Sequence, residues 1–161
     1  MSPGLRVRRA GAADGEAVAG VAESVRFHPG TADGGVGYLV YIQTAAEYAV
    51  TLGRPGAASW VAEDESRGIL GFLWCEPMES GAWYVEQIGI HPDARGQGLA
   101  AALYDRMVQD LQPLRLECEI MHAPLLKSRS QHFFEQRGWL CVEEKRDGDF
   151  VWGRYAWEGC G

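Results

Sequence analysis

The chain has 161 residues, a formal net charge of −7 at pH 7, 47% hydrophobic residues and 23% charged residues. This length and composition are typical of one globular domain with a substantial core, so we expect a single domain over residues 1–161. The acidic balance disfavours a nucleic-acid-binding protein, whose surface would be basic. We expect neither a signal peptide nor a membrane span, because no apolar run is long enough for either.

Four cysteines occur in the chain: Cys75, Cys118, Cys141 and Cys160. Their spacing matches neither a zinc site nor a Cys-x-x-Cys redox pair. Cys75 and Cys118 fall in strand-like runs, which indicates small buried side chains. We therefore expect no metal site and a reducing, cytoplasmic setting.

The first third of the chain predicts strand, helix, loop and helix. Residues 5–9 alternate between apolar and basic side chains, and residues 15–26 have a helical apolar face with Asp14 as the N-cap. Residues 28–37 form a glycine-rich loop without a basic residue. Residues 38–52 then predict a second helix. Three tyrosines on its apolar face are expected in the core: Tyr38, Tyr41 and Tyr48.

Three strands separated by short polar turns predict an antiparallel meander over residues 59–64, 69–76 and 84–90. A helix begins at about Gly98, because apolar residues then recur at every fourth position. Residues 114–120 predict the next strand. Since it follows a helical crossover, we expect it to lie parallel to the strand of residues 84–90.

The last part of the chain predicts one helix and a hairpin. The helix covers residues 125–137, with Leu126 among its inward side chains, and two strands flank Asp147-Gly148, at residues 139–145 and 150–157. The full order predicts an α/β (α+β) fold with a mixed, mostly antiparallel sheet and helices on both faces.

The segment from Arg95 to Ala100 is a candidate phosphate site between the central strand and the helix that follows it. The first N–H groups of a helix have no partner within the helix and lie at the positive end of its dipole. Gly96 and Gly98 allow a phosphate to approach those groups closely. Arg95 adds a fixed positive charge and a forked donor.

Three phosphate-loop patterns were compared with this segment. A Walker loop is excluded, because no Lys follows Gly98. Gly96, Gly98 and Ala101 match a dinucleotide fingerprint, but five residues including Pro92 separate the match from its strand. The third pattern, Gln/Arg-x-x-Gly-x-Gly/Ala, is met by Arg95, Gly98 and Ala100.

That third pattern resembles the acetyl-CoA loop of the GCN5-related N-acetyltransferase (GNAT) superfamily. The segment from Phe133 to Trp139 is similar to the family's Phe-Tyr-x-x-x-Gly-Phe, and the order of elements agrees over nearly the whole chain. The resemblance implies the GNAT fold, in which two parallel central strands splay apart to form a cofactor cleft.

The resemblance also implies acetyl-CoA as co-substrate, with its diphosphate on the glycine loop and its pantetheine arm beside the central strand. Lys127 and Phe134 stand where the family often has Asn and Tyr. The implied cofactor contacts are Ile88, Gly89, Ile90, Arg95, Gly96, Gln97, Gly98, Leu99, Ala100, Lys127 and Phe134.

The implied reaction is direct attack of a neutral amine on the thioester, which requires a proton acceptor. Glu86 is the candidate base if burial raises its pKa, with a structural hydrogen bond or salt bridge as the alternative role and Glu119 as the reserve base. Phe134 has no proton to give to the departing thiolate. The acid is therefore open between His122, Tyr104 and a water. We favour His122, although a surface-loop histidine is equally compatible with the sequence.

These residues predict an acyl-CoA-dependent N-acyltransferase that transfers acetyl to a primary amine on a small molecule, peptide or protein. The alternatives are a non-catalytic CoA-binding or regulatory module, which Phe134 keeps open, and a dinucleotide-dependent oxidoreductase. The substrate should meet residues 28–37, the helix from Tyr38 and the final hairpin. We expect no nucleic-acid or membrane partner, and a homodimer is an open option.

Overall fold

A computed structural model describes residues 3–159 as one seven-stranded sheet with helices on both faces. Cys160 lies outside the described residues. The elements are β1 (Leu5–Arg9), α1 (Gly15–Ser24), α2 (Ala45–Gly53), β2 (Ala58–Asp64), β3 (Gly68–Pro77), β4 (Trp83–Ile90), α3 (Leu99–Leu111), β5 (Arg115–Ala123), α4 (Arg129–Glu135), β6 (Leu140–Asp147) and β7 (Phe150–Glu158).

The strands lie in the order β1-β2-β3-β4-β5-β7-β6, and every neighbouring pair except β4–β5 is antiparallel. The parallel pairing of β4 with β5 covers only Trp83 with Leu116 and Tyr84 with Glu117. Beyond Tyr84 the two strands diverge, which confirms the predicted splayed pair. This mostly antiparallel sheet excludes the doubly wound parallel fold on which the oxidoreductase alternative depended.

Each face of the sheet has its own apolar core. On one face, α3 and α4 contribute side chains such as Leu103, Met107 and Phe134; we call this the α3 face. On the other, α1 and α2 contribute Val18 and Tyr48; we call this the α1 face. The strands between them are therefore covered on both sides over much of their length, which accounts for their near-continuous burial.

The cysteines of the described residues lie where the strand patterns indicated. Cys75 and Cys118 are buried in the core of the α3 face, whereas Cys141 is exposed on β6. In residues 3–159, no helix combines the length and apolar character needed to cross a membrane.

The second helix begins at Ala45, so the prediction of a helix from Tyr38 was wrong. Thr44 is its N-cap: the Thr44 hydroxyl accepts a bond from the Glu47 N–H (3.2 Å), and the Glu47 carboxylate accepts one from the Thr44 N–H (3.0 Å). This reciprocal capping box fixes where the helix starts. Residues 38–44 are non-helical, and in this segment Leu39 shares backbone hydrogen bonds with the end of α1 and its flank.

The burial of the three tyrosines follows from that later start. Tyr48, inside the helix, is fully buried. Tyr38, before the helix, is half-buried and packs against the core of the α1 face. Tyr41 is 70% exposed, so the expectation that it belongs to the core was wrong.

The start of α4 also differs from the prediction, whereas α1 starts at Gly15 as predicted and differs only in the bond made by its N-cap side chain. The helix α4 begins at Arg129, since the Ser128 hydroxyl caps it by accepting a bond from the Gln131 N–H (3.1 Å). Leu126 therefore precedes the helix and is 70% exposed instead of inward. Asp14 occupies the N-cap position of α1 but bonds the Gly11 N–H (2.8 Å) of the preceding turn and pairs with a neighbouring arginine.

Loss of the capping box at α2 should weaken the fold. We expect Thr44→Ala to lower the free energy of unfolding by about 1 kcal/mol, because one N–H of the first turn loses its acceptor. Urea unfolding measures this change. Val50→Ala, at an exposed position of the same helix, is the matched control and should cause no loss. Equal stability of the Thr44→Ala variant and the parent would contradict the cap.

Candidate active site

A β-bulge in the central strand aims Glu86 out of the ladder. Cys75 pairs with Val85 and Trp74 pairs with Gln87, which leaves Glu86 as the extra residue. Bulges interrupt pairing and redirect a side chain. Here the bulged residue lies two positions after Tyr84, the last residue of β4 that pairs with β5.

Beyond the bulge, β4 presents an open backbone edge. The His91 N–H donates to the Leu70 carbonyl of β3 (2.8 Å). Because bonded pairs alternate along an antiparallel ladder, the backbone groups of Ile88 and Ile90 point away from β3, towards the gap. β5 does not pair with them. The predicted edge from Ile88 to Ile90 therefore carries N–H and C=O groups that can bond a ligand.

The glycine loop lies at the end of that edge. Gly96 and Gly98 have φ values of +79° and +77°, and a Cβ on either would meet no protein atom within 4 Å. The start of α3 has no side-chain cap and no acidic residue in its first turn. Its first N–H groups, at Leu99 and Ala100, therefore remain available at the positive end of the dipole. A cavity of about 330 Å³ adjoins them.

Three arginines border this cavity: Arg95, Arg129 and Arg137. Only Arg95 could be assigned from the sequence, because Arg129 and Arg137 lie on or just after α4, more than thirty residues away in the chain. The packing of α4 beside the start of α3 brings them together, and no local sequence pattern indicated it.

The Arg95 side chain packs against neighbouring residues and does not extend into solvent. Its Nη2 donates to the Tyr38 hydroxyl (3.2 Å), its guanidinium lies 5.3 Å from the centre of that ring, and its side chain packs on Gly34 and Gly35. Its Nε is buried without a hydrogen-bond partner among the described residues. The guanidinium therefore retains an unused donor beside the loop.

The segment after α1 also reaches the open edge of β4. The Gly37 N–H donates to the Ser130 hydroxyl of α4 (2.9 Å), and the Asp33 carboxylate accepts a bond from the Arg129 N–H (3.0 Å). A Cβ on Gly37 would collide with the Ile88 carbonyl oxygen. Residues 33–38 thus cross the gap and lie against part of the edge predicted to bind the pantetheine arm; we call them the strap.

The gap between β4 and β5 contains a small cavity of about 80 Å³. Phe134 lines it, and its ring packs edge to face against Trp139 at 4.9 Å, so this position supplies only apolar surface. Ser130, one turn earlier on α4, supplies a hydroxyl to the same cavity. Tyr104 does not reach it, because its hydroxyl accepts a bond from the Trp139 indole (2.9 Å) within the core.

His122 is placed beside the gap but borders none of the cavities described above or below. Its Nδ1 lies 2.6 Å from a Glu144 carboxylate oxygen, and its Nε2 lies 2.7 Å from the Tyr155 hydroxyl. Both ring nitrogens are therefore engaged by β6 and β7. Lys127 is exposed and Gln97 accepts a bond from Arg67 (3.2 Å); neither borders a cavity at the gap.

On the α1 face, the gap opens into a second cavity of about 280 Å³ that includes Glu86 and Glu119. Glu86 is exposed to this cleft, and it forms no ion pair within residues 3–159. The surrounding protein still removes part of its hydration, which raises the pKa of its carboxyl, and the negative charge of Glu119 raises it further. Arg54 acts in the opposite direction.

Solved structures share this fold over almost the whole chain. The ribosomal-protein-S18-alanine N-acetyltransferase from Escherichia coli superposes with a TM-score of 0.74 at 12% identity, covering 98% of this chain and 95% of that one. A GCN5-related N-acetyltransferase from Kribbella flavida gives 0.71 at 17% identity, covering 98% and 99%. Arabidopsis thaliana NAA60, solved with a bisubstrate analogue, gives 0.75 at 13% identity, covering 96% and 98%. At these identities the likeness shows the fold alone.

No curated protein sequence matches the chain significantly. The family model of the acetyltransferase (GNAT) domain matches residues 55–139, just over half of the chain. The matched span contains the bulged strand, the glycine loop and Phe134, each of which borders the gap or the cavity at the glycine loop. The chain belongs to the GNAT acetyltransferase family.

Proposed function

We propose that this protein transfers acetyl from acetyl-CoA to a primary amine by direct attack in a ternary complex. The observation that carries the proposal is the open edge of β4. It lies between the glycine-loop cavity on one side and the carboxylate-lined cleft on the other, with Glu86 at the junction. A donor and an acceptor entering from opposite sides would meet there.

The glycine loop and its arginines fit the phosphates of acetyl-CoA. The free N–H groups at the start of α3 and the open space beside Gly96 and Gly98 suit an anion, and three arginines add positive charge at the cavity. The open groups of Ile90 suit the amides of the pantetheine arm. The Ile88 carbonyl becomes available only when the strap shifts, since Gly37 lies against it.

Glu86 is the group that we propose as the proton acceptor. Acetyl-CoA supplies an activated acyl group, and the amine must lose a proton as its nitrogen forms the new C–N bond. A carboxylate with a raised pKa is a better base at neutral pH than an ordinary one. Its position on the bulge, free of an ion pair, leaves its oxygens open to the cleft.

In this proposal, neither Phe134 nor His122 gives the proton to the departing sulfur. Phe134 cannot donate one, and both nitrogens of His122 are engaged away from the cavity. We assign His122 the role of joining β5, β6 and β7. The Ser130 hydroxyl borders the gap on the face of Phe134, and we propose that it relays a proton from water.

The alternative of a non-catalytic CoA-binding module shares the same donor site. It differs in having no turnover. An assay of thiol release from acetyl-CoA over a panel of amines separates the two, because a binding module would take up acetyl-CoA without releasing thiol in response to any amine.

Replacement of Gly98 should weaken acetyl-CoA binding. We expect Gly98→Val to reduce the affinity more than tenfold, since its side chain would fill the space beside the first turn of α3. Calorimetry measures the affinity. Gly81→Val is the matched control, because Gly81 also has a positive φ, +90°, and open space but lies in the β3–β4 turn. If both variants bind equally well, the glycine loop does not hold the phosphates.

Removal of the Glu86 carboxylate should slow the chemical step. We expect Glu86→Gln to lower kcat at least about a hundredfold, the usual contribution of a positioned base. Its Kd for acetyl-CoA should stay within about twofold of the parent value. Raising the pH should restore part of the activity, because more of the amine is then neutral in solution. Full turnover of this variant at pH 7 would assign Glu86 a structural role instead.

The same substitution should have a pH-dependent effect on stability. Because folding raises the pKa of Glu86, its ionised form destabilises the fold as the pH rises through that pKa. We therefore expect Glu86→Gln to be more stable than the parent at pH 7 and equally stable near pH 3, where the carboxyl is neutral in both states. Urea unfolding at the two pH values tests this. Exposed Glu79→Gln is the control for loss of a charge, and a similar gain there would refute the assignment.

A further inference from the structure

In the proposed function, on which the choice of acceptor rests, the amine enters the cleft on the α1 face. Two segments form the walls of this cleft: residues 38–41, which precede α2, and the β6–β7 hairpin, which contributes Lys145, Asp147 and Trp152. The floor is the gap itself, with Glu86 and Glu119.

Charge is the first property of the cleft. Three carboxylates and one ammonium group line it. The ammonium of Lys145 lies 3.0 Å from a Glu119 oxygen, so those two charges satisfy each other. Glu86 at the floor and Asp147 at the rim have no ion-pair partner within residues 3–159. The cleft thus offers two uncommitted negative charges at different depths.

Aromatic surface is the second and independent property. Tyr38, Tyr41, Tyr84 and Trp152 line the same space. The face of an aromatic ring attracts a cation, most strongly for Trp, and it also accommodates an alkyl chain. Trp152 is held in place because its ring stacks on Phe150 at 5.9 Å. Between the two carboxylates, the cleft therefore suits a short apolar chain and a cationic end.

Size is the third property. The volume of about 280 Å³ lies just below the range of about 300–1,000 Å³ that holds drug-sized ligands. A small molecule therefore fits this space better than an extended polypeptide.

We propose that the acceptor is a small aliphatic diamine or polyamine, which reacts through one amine at Glu86 while its second ammonium group binds between Asp147 and the aromatic walls. The reacting ammonium first gives one proton to Glu86, and its neutral nitrogen then forms the bond to the acetyl carbon. The C–S bond breaks, and the second proton that this nitrogen loses passes through water and the Ser130 hydroxyl to the departing sulfur, which leaves as the thiol of CoA. The second ammonium keeps its charge throughout.

Three amines of equal chain length test the proposal: 1,5-diaminopentane, pentylamine and 5-aminopentanoate. They differ only in the distal group, which is cationic, apolar or anionic. Thiol release gives kcat/KM for each with saturating acetyl-CoA, and calorimetry gives the affinity of each for the complex of enzyme and CoA. We expect the diamine to exceed pentylamine about tenfold in both measurements, with 5-aminopentanoate weakest and the preference falling as salt is added.

Asp147→Asn should reduce the ratio of diamine to pentylamine about threefold. Asp149→Asn is the matched control: it lies in the same hairpin turn but borders a different cavity, and the ratio should not change. A ratio near one in the parent, an equal effect of both substitutions, or preferred turnover of a short peptide with a free amino terminus would overturn the inference.

The same measurements distinguish failure of the proposed acetyl transfer from failure of the proposed acceptor class. Failure to bind acetyl-CoA, or failure to transfer acetyl to every amine, contradicts the proposed function. Transfer without a preference for the diamine contradicts only the acceptor class. The calorimetric arm decides that preference without any turnover, because it uses CoA that carries no acetyl group.

Discussion

The site exists because backbone pairing between β4 and β5 stops after Tyr84. Backbone N–H and C=O groups inside a protein require partners, and a sheet normally supplies them from the adjacent strand. Here β3 holds one edge of β4 and β7 holds the far edge of β5 over most of their length, while the inner edges separate after Tyr84. The sheet therefore has an opening between β4 and β5, while both strands stay paired to their outer neighbours.

That opening has opposite electrostatic character on its two sides. The arginines beside the glycine loop and the positive end of α3 make the α3 face suitable for an anion. Glu86, Glu119 and Asp147 make the α1 face suitable for a cation. Such a separation orients two oppositely charged reactants before either makes a specific contact. The net charge of the chain shows only the sum of these two regions, and that is why it says little about either.

Much of the fold was accessible from the sequence because its signals are local. Period-two and helical apolar patterns located β1 to β5 and the four α-helices of the described residues, and the Asp147-Gly148 turn located the hairpin of β6 and β7. The predicted helix starts were wrong where a side chain accepts a hydrogen bond from the backbone and thereby caps the helix at a later residue. Thr44 and Ser128 cap their helices and so displace the predicted starts, and Tyr38 and Tyr41 consequently face the cleft.

The candidate site was accessible only in part. The glycine loop is contiguous in sequence and was identified from its residues. The contributions of Arg129 and Arg137 and the engagement of His122 by Glu144 and Tyr155 arise from packing between distant elements, which no local pattern encodes. The bulge at Glu86 likewise depends on the register with β3 and could not be read from the strand alone.

The strap has a consequence for how the two sides of the protein communicate. Tyr38 lines the cleft on the α1 face, and its hydroxyl also accepts a bond from Arg95 beside the glycine loop. In the proposed reaction, an anion on Arg95 would compete with that hydroxyl and change the freedom of one wall of the opposite cleft. If occupancy of one side alters affinity on the other, thermodynamic linkage requires the same coupling in reverse. One arginine–tyrosine contact would then make the two proposed substrates heterotropic effectors of each other.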